Sequence, residues 1–152
     1  MSDRLLNRHV AERRVKRLRR FAVSLIGNQN AADRVVLDVM RIHKSVLVSE
    51  KCPTMQLMIL LQAVYQDIRS RQSRSQNISL LNPLRSELVN TFVKFQSLAY
   101  SQKAIISLLL IEEFSPEKVS QITDIPLSQI DFLISKSLDF LSEGDGLKIV
   151  SG

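Results

Sequence analysis

The sequence predicts an all-α protein built as two small helical domains. Three observations carry that expectation. Long runs of Leu, Ile, Val, Ala, Gln, Lys and Arg show neither an alternating period nor a hairpin signal, which favours helix over strand. Hydrophobic residues make up 45% of the 152 residues, with only 4 Gly and 4 Pro, so there is apolar material for one respectable core or two small ones. Between Arg71 and Pro83 the stretch RQSRSQNISLLNP turns polar and loses its period, which marks a linker. The expected division is residues 1–72 for the first domain, 73–83 for the linker, 84–146 for the second domain and 147–152 for a tail.

The first helix is expected from Leu5 to Ile26, with an apolar stripe at Leu6, Val10, Leu18, Phe21, Ala22 and Leu25 and an arginine-rich opposite face. Gly27 is a natural terminator, and Asn28 or Asn30 can cap a second helix running to about Val48. The loop around Ser49 to Pro53 closes that element. A third helix follows from Thr54 to about Arg71, apolar nearly all round at Leu57 to Leu61 and therefore central to a bundle. In the second domain, Leu84 to Leu98 reads as one helix and Ser101 to Glu113 as another, with Ser101 as its cap.

The stretch from Phe114 to Leu141 spells a helix-turn-helix. Ser115 can cap its first helix, Pro116 suits the first turn and Glu117 complements the helix dipole there. Thr123, Asp124 and Ile125 break the pattern, and Pro126 reopens it. Ser128 is a plausible cap for a second helix that turns Ile130, Ile134, Ser137 and Leu141 to the core. A reader of the major groove would carry Arg, Lys, Asn or Gln on the opposite face. Here that face carries Asp131, Phe132, Leu133, Lys136, Leu138 and Asp139, a surface better suited to a protein than to a polyanion.

The charge distribution agrees. The formal net charge is +6, but residues 1–20 alone hold eight Arg or Lys against two acids, so the rest of the chain sums to zero. Residues 115–152 contain six acids and three bases. Positive charge is therefore concentrated at the end opposite the helix-turn-helix. The cluster Arg13, Arg14, Lys16, Arg17, Arg19 and Arg20 can hold phosphates or acidic segments of a partner, with Arg13, Arg14, Arg17 and Arg20 the leading candidates. A solvated helix face is the ordinary alternative.

Catalysis has little support. His9 and His43 fall on different helices, without Cys, Asp or Glu at metal-ligand spacing, and read as surface or boundary residues. Cys52, the one cysteine, excludes an internal disulfide, suits a reducing compartment and reads as a semi-buried inert thiol. Glu112 and Glu113 are adjacent on a helix and cannot both point into one site. No Gly-rich phosphate loop is present, so no enzyme activity, cofactor or metal is expected. The start shows no signal-peptide apolar stretch, and the run Met58 to Leu61 is too short to span a bilayer, so a cytoplasmic protein is the expectation.

The arrangement resembles a two-domain sigma factor of the small extracytoplasmic-function group, whose regions 2 and 4 would correspond to the two domains. The family's clamp-binding phrase, of the form G-D-x-x-D-A-E-D-L-V-Q-E-T-F-L-R, is matched in part by Ala31, Asp33, Val35 and Arg41. Ala32, Val36 and Leu37 occupy the places of its polymerase-facing Glu, Gln and Glu. The third helix is similar to the promoter-melting segment W-L-x-x-I-A-R-N-x-x-x-D at Leu57, Leu60 and Asp67. Gln56 replaces its tryptophan, and Gln62 and Ala63 replace its Arg-Asn pair. The family's helix-turn-helix phrase is echoed by Ser115, Lys118, Val119, Ile122, Ile125, Pro126, Ile130, Ile134 and Lys136, with Leu133 and Leu138 where basic residues usually sit. The framework is kept while the groups that would handle unstacked bases and phosphates are missing.

This combination resembles the sigma-like domain of PhyR response regulators of the general stress response. Their phrase L-R-R-F-A-R-A-L-T-G-x-Q-x-x-x-D is matched by Leu18 to Ala22, Leu25, Gly27, Gln29 and Asp33. The resemblance implies partner switching within two-component signalling: the domain imitates a sigma factor and captures a NepR-like anti-sigma factor, freeing the true one. Candidate contacts are Phe132, Leu133, Lys136 and Leu138 on the second domain and Arg34, Val35 and Asp38 on the first. The plainer alternative for Phe132, Leu133 and Leu138 is packing against the first domain or a neighbouring chain. PhyR proteins continue into a receiver domain, and the tail GLKIVSG lies about where a receiver's first strand would start. A fragment of such a protein and a stand-alone mimic are both compatible with that. A second reading is a divergent but active sigma factor that binds RNA polymerase core and promoter DNA.

Overall fold

The computed structural model describes residues 2–49, 52–74 and 93–142, and among these every regular element is helical. The helices are α1 (Ser2–Ile26), α2 (Gln29–Ile42), α3 (Lys44–Ser49), α4 (Pro53–Arg74), α5 (Tyr100–Ile106), α6 (Pro116–Thr123) and α7 (Leu127–Ser142). A five-residue π-turn, Ser107–Ile111, prolongs α5. The chain divides into two compact units, Met1–Gln76 and Asn77–Gly152.

Unit 1 is a bundle in which α1, α2 and α4 pack against one another. The turn between α1 and α2 is two residues long. Gly27 sits at φ 79°, a left-handed position that costs a side-chain-bearing residue energy, and its N–H closes α1 onto the Val23 carbonyl at 2.7 Å. Asn28 then caps α2, its Oδ1 accepting the Ala31 N–H at 3.0 Å. Behind the caps, Leu18, Phe21, Ala22 and Leu25 meet Ala32, Val35, Val36 and Val39 and the buried row Leu57, Leu60, Leu61, Val64 and Ile68. Tyr65 joins that core, and burial pushes its phenol pKa up despite the opposing field of Arg69.

Two boundaries differ from expectation. α2 stops at Ile42 instead of continuing to about Val48, because His43 turns to φ −99°, ψ 23° and the short helix α3 restarts at Lys44. Neither Gly nor Pro announces that break. The apolar stripe of α2 ends at Val39, and Ile42 is 69% exposed, so a straight continuation would bury nothing more. α4, conversely, runs to Arg74, into the stretch expected to be linker. The remainder of that linker, most of the helix expected from Leu84, and the tail lie outside the described residues.

Unit 2 is built from α5, α6 and α7, packed pairwise. Its core contains Leu98, Ala104, Ile105, Ile106, Leu108, Phe114, Val119, Ile122 and Ile130. Residues 93–96 are helical and stop where the Ser97 N–H bonds the carbonyls of Val93 and Lys94. Ser101 is not the cap of the next helix, because α5 begins at Tyr100 and leaves Ser101 inside its first turn. The side chain that closes this end is Gln102, whose Oε1 accepts the Ala99 N–H at 3.1 Å. Glu112 and Glu113 lie beyond the π-turn, Glu112 buried and Glu113 exposed in the left-handed region at φ 61°.

Candidate partner-binding surfaces

The helix-turn-helix is assembled by local hydrogen bonds. Ser115 Oγ accepts the Lys118 N–H at 3.4 Å, and Pro116 takes the first helical position, where a missing N–H does no harm. Asp124 ends α6 at φ 60°, its N–H reaching the Ser120 carbonyl at 2.8 Å. Ser120 Oγ donates to the Ile125 carbonyl at 2.7 Å, fastening the turn. α7 starts immediately after Pro126, whose carbonyl accepts from Gln129 and Ile130. Ser128 therefore lies within the helix and is not its cap.

Once α7 is placed, its faces separate. Ile130 and Ser137 are fully buried, Ser137 by donating its hydroxyl to the Leu133 carbonyl at 2.6 Å, while Ile134 and Leu141 are half-buried. Asp131, Phe132, Lys136, Leu138 and Asp139 are exposed, Phe132 at 57% and Leu138 at 44%. Leu133 is half-buried, so it belongs to the edge of the core more than to the outward face. Lys136 Nζ lies 4.9 Å from the centre of the Phe132 ring, and Lys94 Nζ lies 5.6 Å from that of Phe140. Each exposed ring thus carries a cation on its face.

Phe132, Lys136 and Phe140 form one row along the helix. Lys136, Asp139 and Phe140 line a groove of about 410 Å³ with Ser97, Leu98 and Gln102. The sequence pattern does not by itself single out Phe140, Leu98 or Lys94. The eight-residue spacing of Phe132 and Phe140 is visible in the sequence, but the groove wall comes from α5 and the segment before it, which only the packing of unit 2 brings to α7.

On unit 1, Arg34 is exposed, whereas Val35 is 1% exposed and packs in the bundle core. Val35 therefore cannot meet a partner directly, since the spacing that aligns it with Ala32 and Val39 turns it inward. The apolar groups that α2 does present are Leu37 and Ile42, each 69% exposed. Asp38 is engaged within the unit, accepting from Arg41 at 3.1 Å and from Arg71 at 2.9 Å. Asp67 also pairs with Arg71, and the hydrogen bonds that Arg71 donates to Asp67 and Asp38 together raise its pKa.

The basic face of α1 is sorted by the bundle. Arg13, Lys16 and Arg20 are exposed; Arg14 and Arg17 are half-buried, and burial lowers the Arg14 pKa. Arg19 is bound to Asp33 of α2 at 2.5 Å, which ties the hairpin together. Cys52 is exposed, not semi-buried, because it precedes α4 and no core element covers it. Among the described residues, no group of three or more His, Cys, Asp and Glu is placed to hold a metal ion, and no helix is long and apolar enough to cross a membrane.

The three-helix bundle and the helix-turn-helix unit define a protein of sigma-factor-like fold. The chain is similar to RpoE, a sigma factor from Bartonella quintana solved in complex with the anti-sigma factor NepR. The TM-score is 0.64 at 20% sequence identity, and the likeness covers 86% of this chain and 90% of that one. At this identity the shared property is the fold. No protein-family model and no curated protein sequence matches the chain.

Proposed function

We propose that the chain is a sigma-factor mimic of the PhyR type, acting in the cytoplasm to regulate transcription by partner switching. It holds a NepR-like anti-sigma factor and so releases a stress sigma factor. The observation that carries this reading is the outward face of α7. A sigma-like unit that read promoters would need basic and amide side chains there. This helix presents Phe132, Leu138 and Phe140 with Asp131 and Asp139, beside a groove walled by Leu98. Carboxylates at that position repel phosphates, while exposed rings next to a groove suit an amphipathic helix. The similar sigma factor RpoE, solved with its anti-sigma factor, supports the same class of partner.

Further candidate contacts are Lys136 on unit 2 and, on unit 1, Arg34 with the exposed Leu37 in place of the buried Val35. The test is titration calorimetry of the chain with a purified NepR-type protein. Phe132→Asp combined with Leu138→Asp should weaken binding by about 30-fold, the effect of losing an interface anchor worth roughly 2 kcal/mol, with the helical circular dichroism unchanged. Unchanged affinity in the variant would remove this face from the site.

A second reading, a divergent sigma factor, is favoured by one observation: the similar structure is itself a sigma factor. It requires retention of polymerase core by the chain and promoter-specific binding by that assembly. Finding both would displace the mimic.

A further inference from the structure

The exposed row on α1 is not used by the anti-sigma reading. Residues 8–20 contain seven Arg or Lys and one acid, Glu12, which pairs with Arg8 at 3.3 Å. Arg13, Lys16 and Arg20 stand three and four residues apart, so they form one straight line along the exposed side of the helix. From Arg13 to Arg20 that line measures about 10 Å, at roughly 1.5 Å per residue. It matches about three base-pair steps of duplex DNA, at roughly 3.4 Å per step along a strand.

We propose that the Arg13–Lys16–Arg20 row is a sequence-independent binding site for the phosphate backbone of duplex DNA. Three features select this occupant. In the segment from His9 to Arg20, Ala11 is the one exposed aliphatic residue; Val10 and Val15 are half-buried and Leu18 is buried, so an acidic protein helix would find no apolar anchor. No Phe, Tyr or Trp lies in that segment, so unpaired bases would find no ring to stack on, which favours duplex over single strands. The segment also lacks Asn and Gln, the bidentate readers of adenine, and its cations can pair with phosphates along any sequence. The site is therefore assigned to the backbone, and the two unrelated duplexes below test that assignment against guanine readout by Arg or Lys. Duplex DNA has the charge density that makes such a row bind, because each neutralised phosphate releases condensed counterions.

In this arrangement unit 1 holds DNA loosely while unit 2 carries the protein-binding face, so the chain would be retained on chromosomal DNA without reading a promoter. The inference does not depend on the anti-sigma reading, since its test contains no protein partner.

The test is fluorescence anisotropy of the full chain with labelled 20-bp duplexes of two unrelated sequences, across 25–200 mM salt. Both duplexes should bind equally, with a dissociation constant on the order of 10⁻⁵ M near physiological salt and a log–log salt slope of about −3 for three phosphates. Arg13→Gln, Lys16→Gln and Arg20→Gln together should weaken binding at least 30-fold at 50 mM salt and flatten the slope. The paired control Lys44→Gln and Lys118→Gln, at exposed sites outside the row, should change affinity less than threefold. If the triple variant is less helical by circular dichroism, single Lys16→Gln should still shift the slope by about one unit. The proposal is overturned by absence of binding at 25 mM salt, by unchanged affinity in the triple variant, by tighter binding to single strands or to a polyglutamate peptide, or by binding to one duplex sequence alone.

Discussion

Lys103 shows how a single residue can be carried against its chemistry by the helix that bears it. It falls on the buried face of α5, 7% exposed, with Nζ reaching Gln96 Oε1 at 3.4 Å, and burial lowers its pKa from 10.5. The charged form is therefore the strained one at neutral pH. Lys103→Met should raise stability by about 1 kcal/mol at pH 7, as is common when a buried charge is exchanged for an apolar group of similar volume. The folded state binds this proton less tightly than the unfolded chain, so wild-type stability should rise as pH climbs from the lowered pKa towards 10.5, narrowing the gap to the variant. Urea titrations at pH 7 and pH 10 would measure both effects. Asp124 is a second case. Its φ of 60° disfavours any residue with a Cβ, and Asp124→Gly should stabilise unit 2 by about 0.5–1 kcal/mol in thermal unfolding.

At the scale of the element, caps and turns decide where helices begin and end. Ser115 and Asn28 were legible as caps because their side-chain oxygens lie three residues before the N–H groups they satisfy. Replacing either by Ala should cost about 1 kcal/mol, read from the urea midpoint. Ser101 and Ser128 have the same residue type one or two positions too late, and the helices begin before them. The π-turn after α5 is a different matter: nothing in SLLLI distinguishes it from an α-helical turn. It buries Ser107, whose Oγ has no hydrogen-bond partner among the described residues. Ser107→Ala should therefore leave stability unchanged or raise it by up to about 1 kcal/mol, since an unsatisfied hydroxyl is removed from the core.

For the molecule as a whole, the controlling fact is that two small cores share the chain. Each unit spans fewer than 80 residues, and small cores leave thin margins. Phe21 is fully buried among α1, α2 and α4, so Phe21→Ala should destabilise unit 1 by about 3–5 kcal/mol and abolish its cooperative transition near room temperature. Helical circular dichroism, followed with temperature, would show that loss. The Arg19–Asp33 bridge, with both side chains about 40% exposed, should matter far less, about 0.5 kcal/mol, because water screens it.

The sequence by itself determined the helical class, the buried stripe of α1 from Leu18 to Leu25, the apolar centre of α4, the two helices of the helix-turn-helix and the acidic, apolar character of the α7 surface. Periodicity and capping are local properties, readable within a few residues of the chain. Tertiary structure alone decided which members of those patterns remain available. Val35 and Leu37 sit two apart on one helix, yet one is sealed in the bundle and the other is 69% exposed. Phe140 became part of a groove only when Leu98 and Gln102 were brought against it. Arg13, Lys16 and Arg20 separated from Arg14 and Arg17 because the bundle covers one side of α1 and leaves the other in water. Exposure depends on neighbours distant along the chain, and a local pattern carries no record of them.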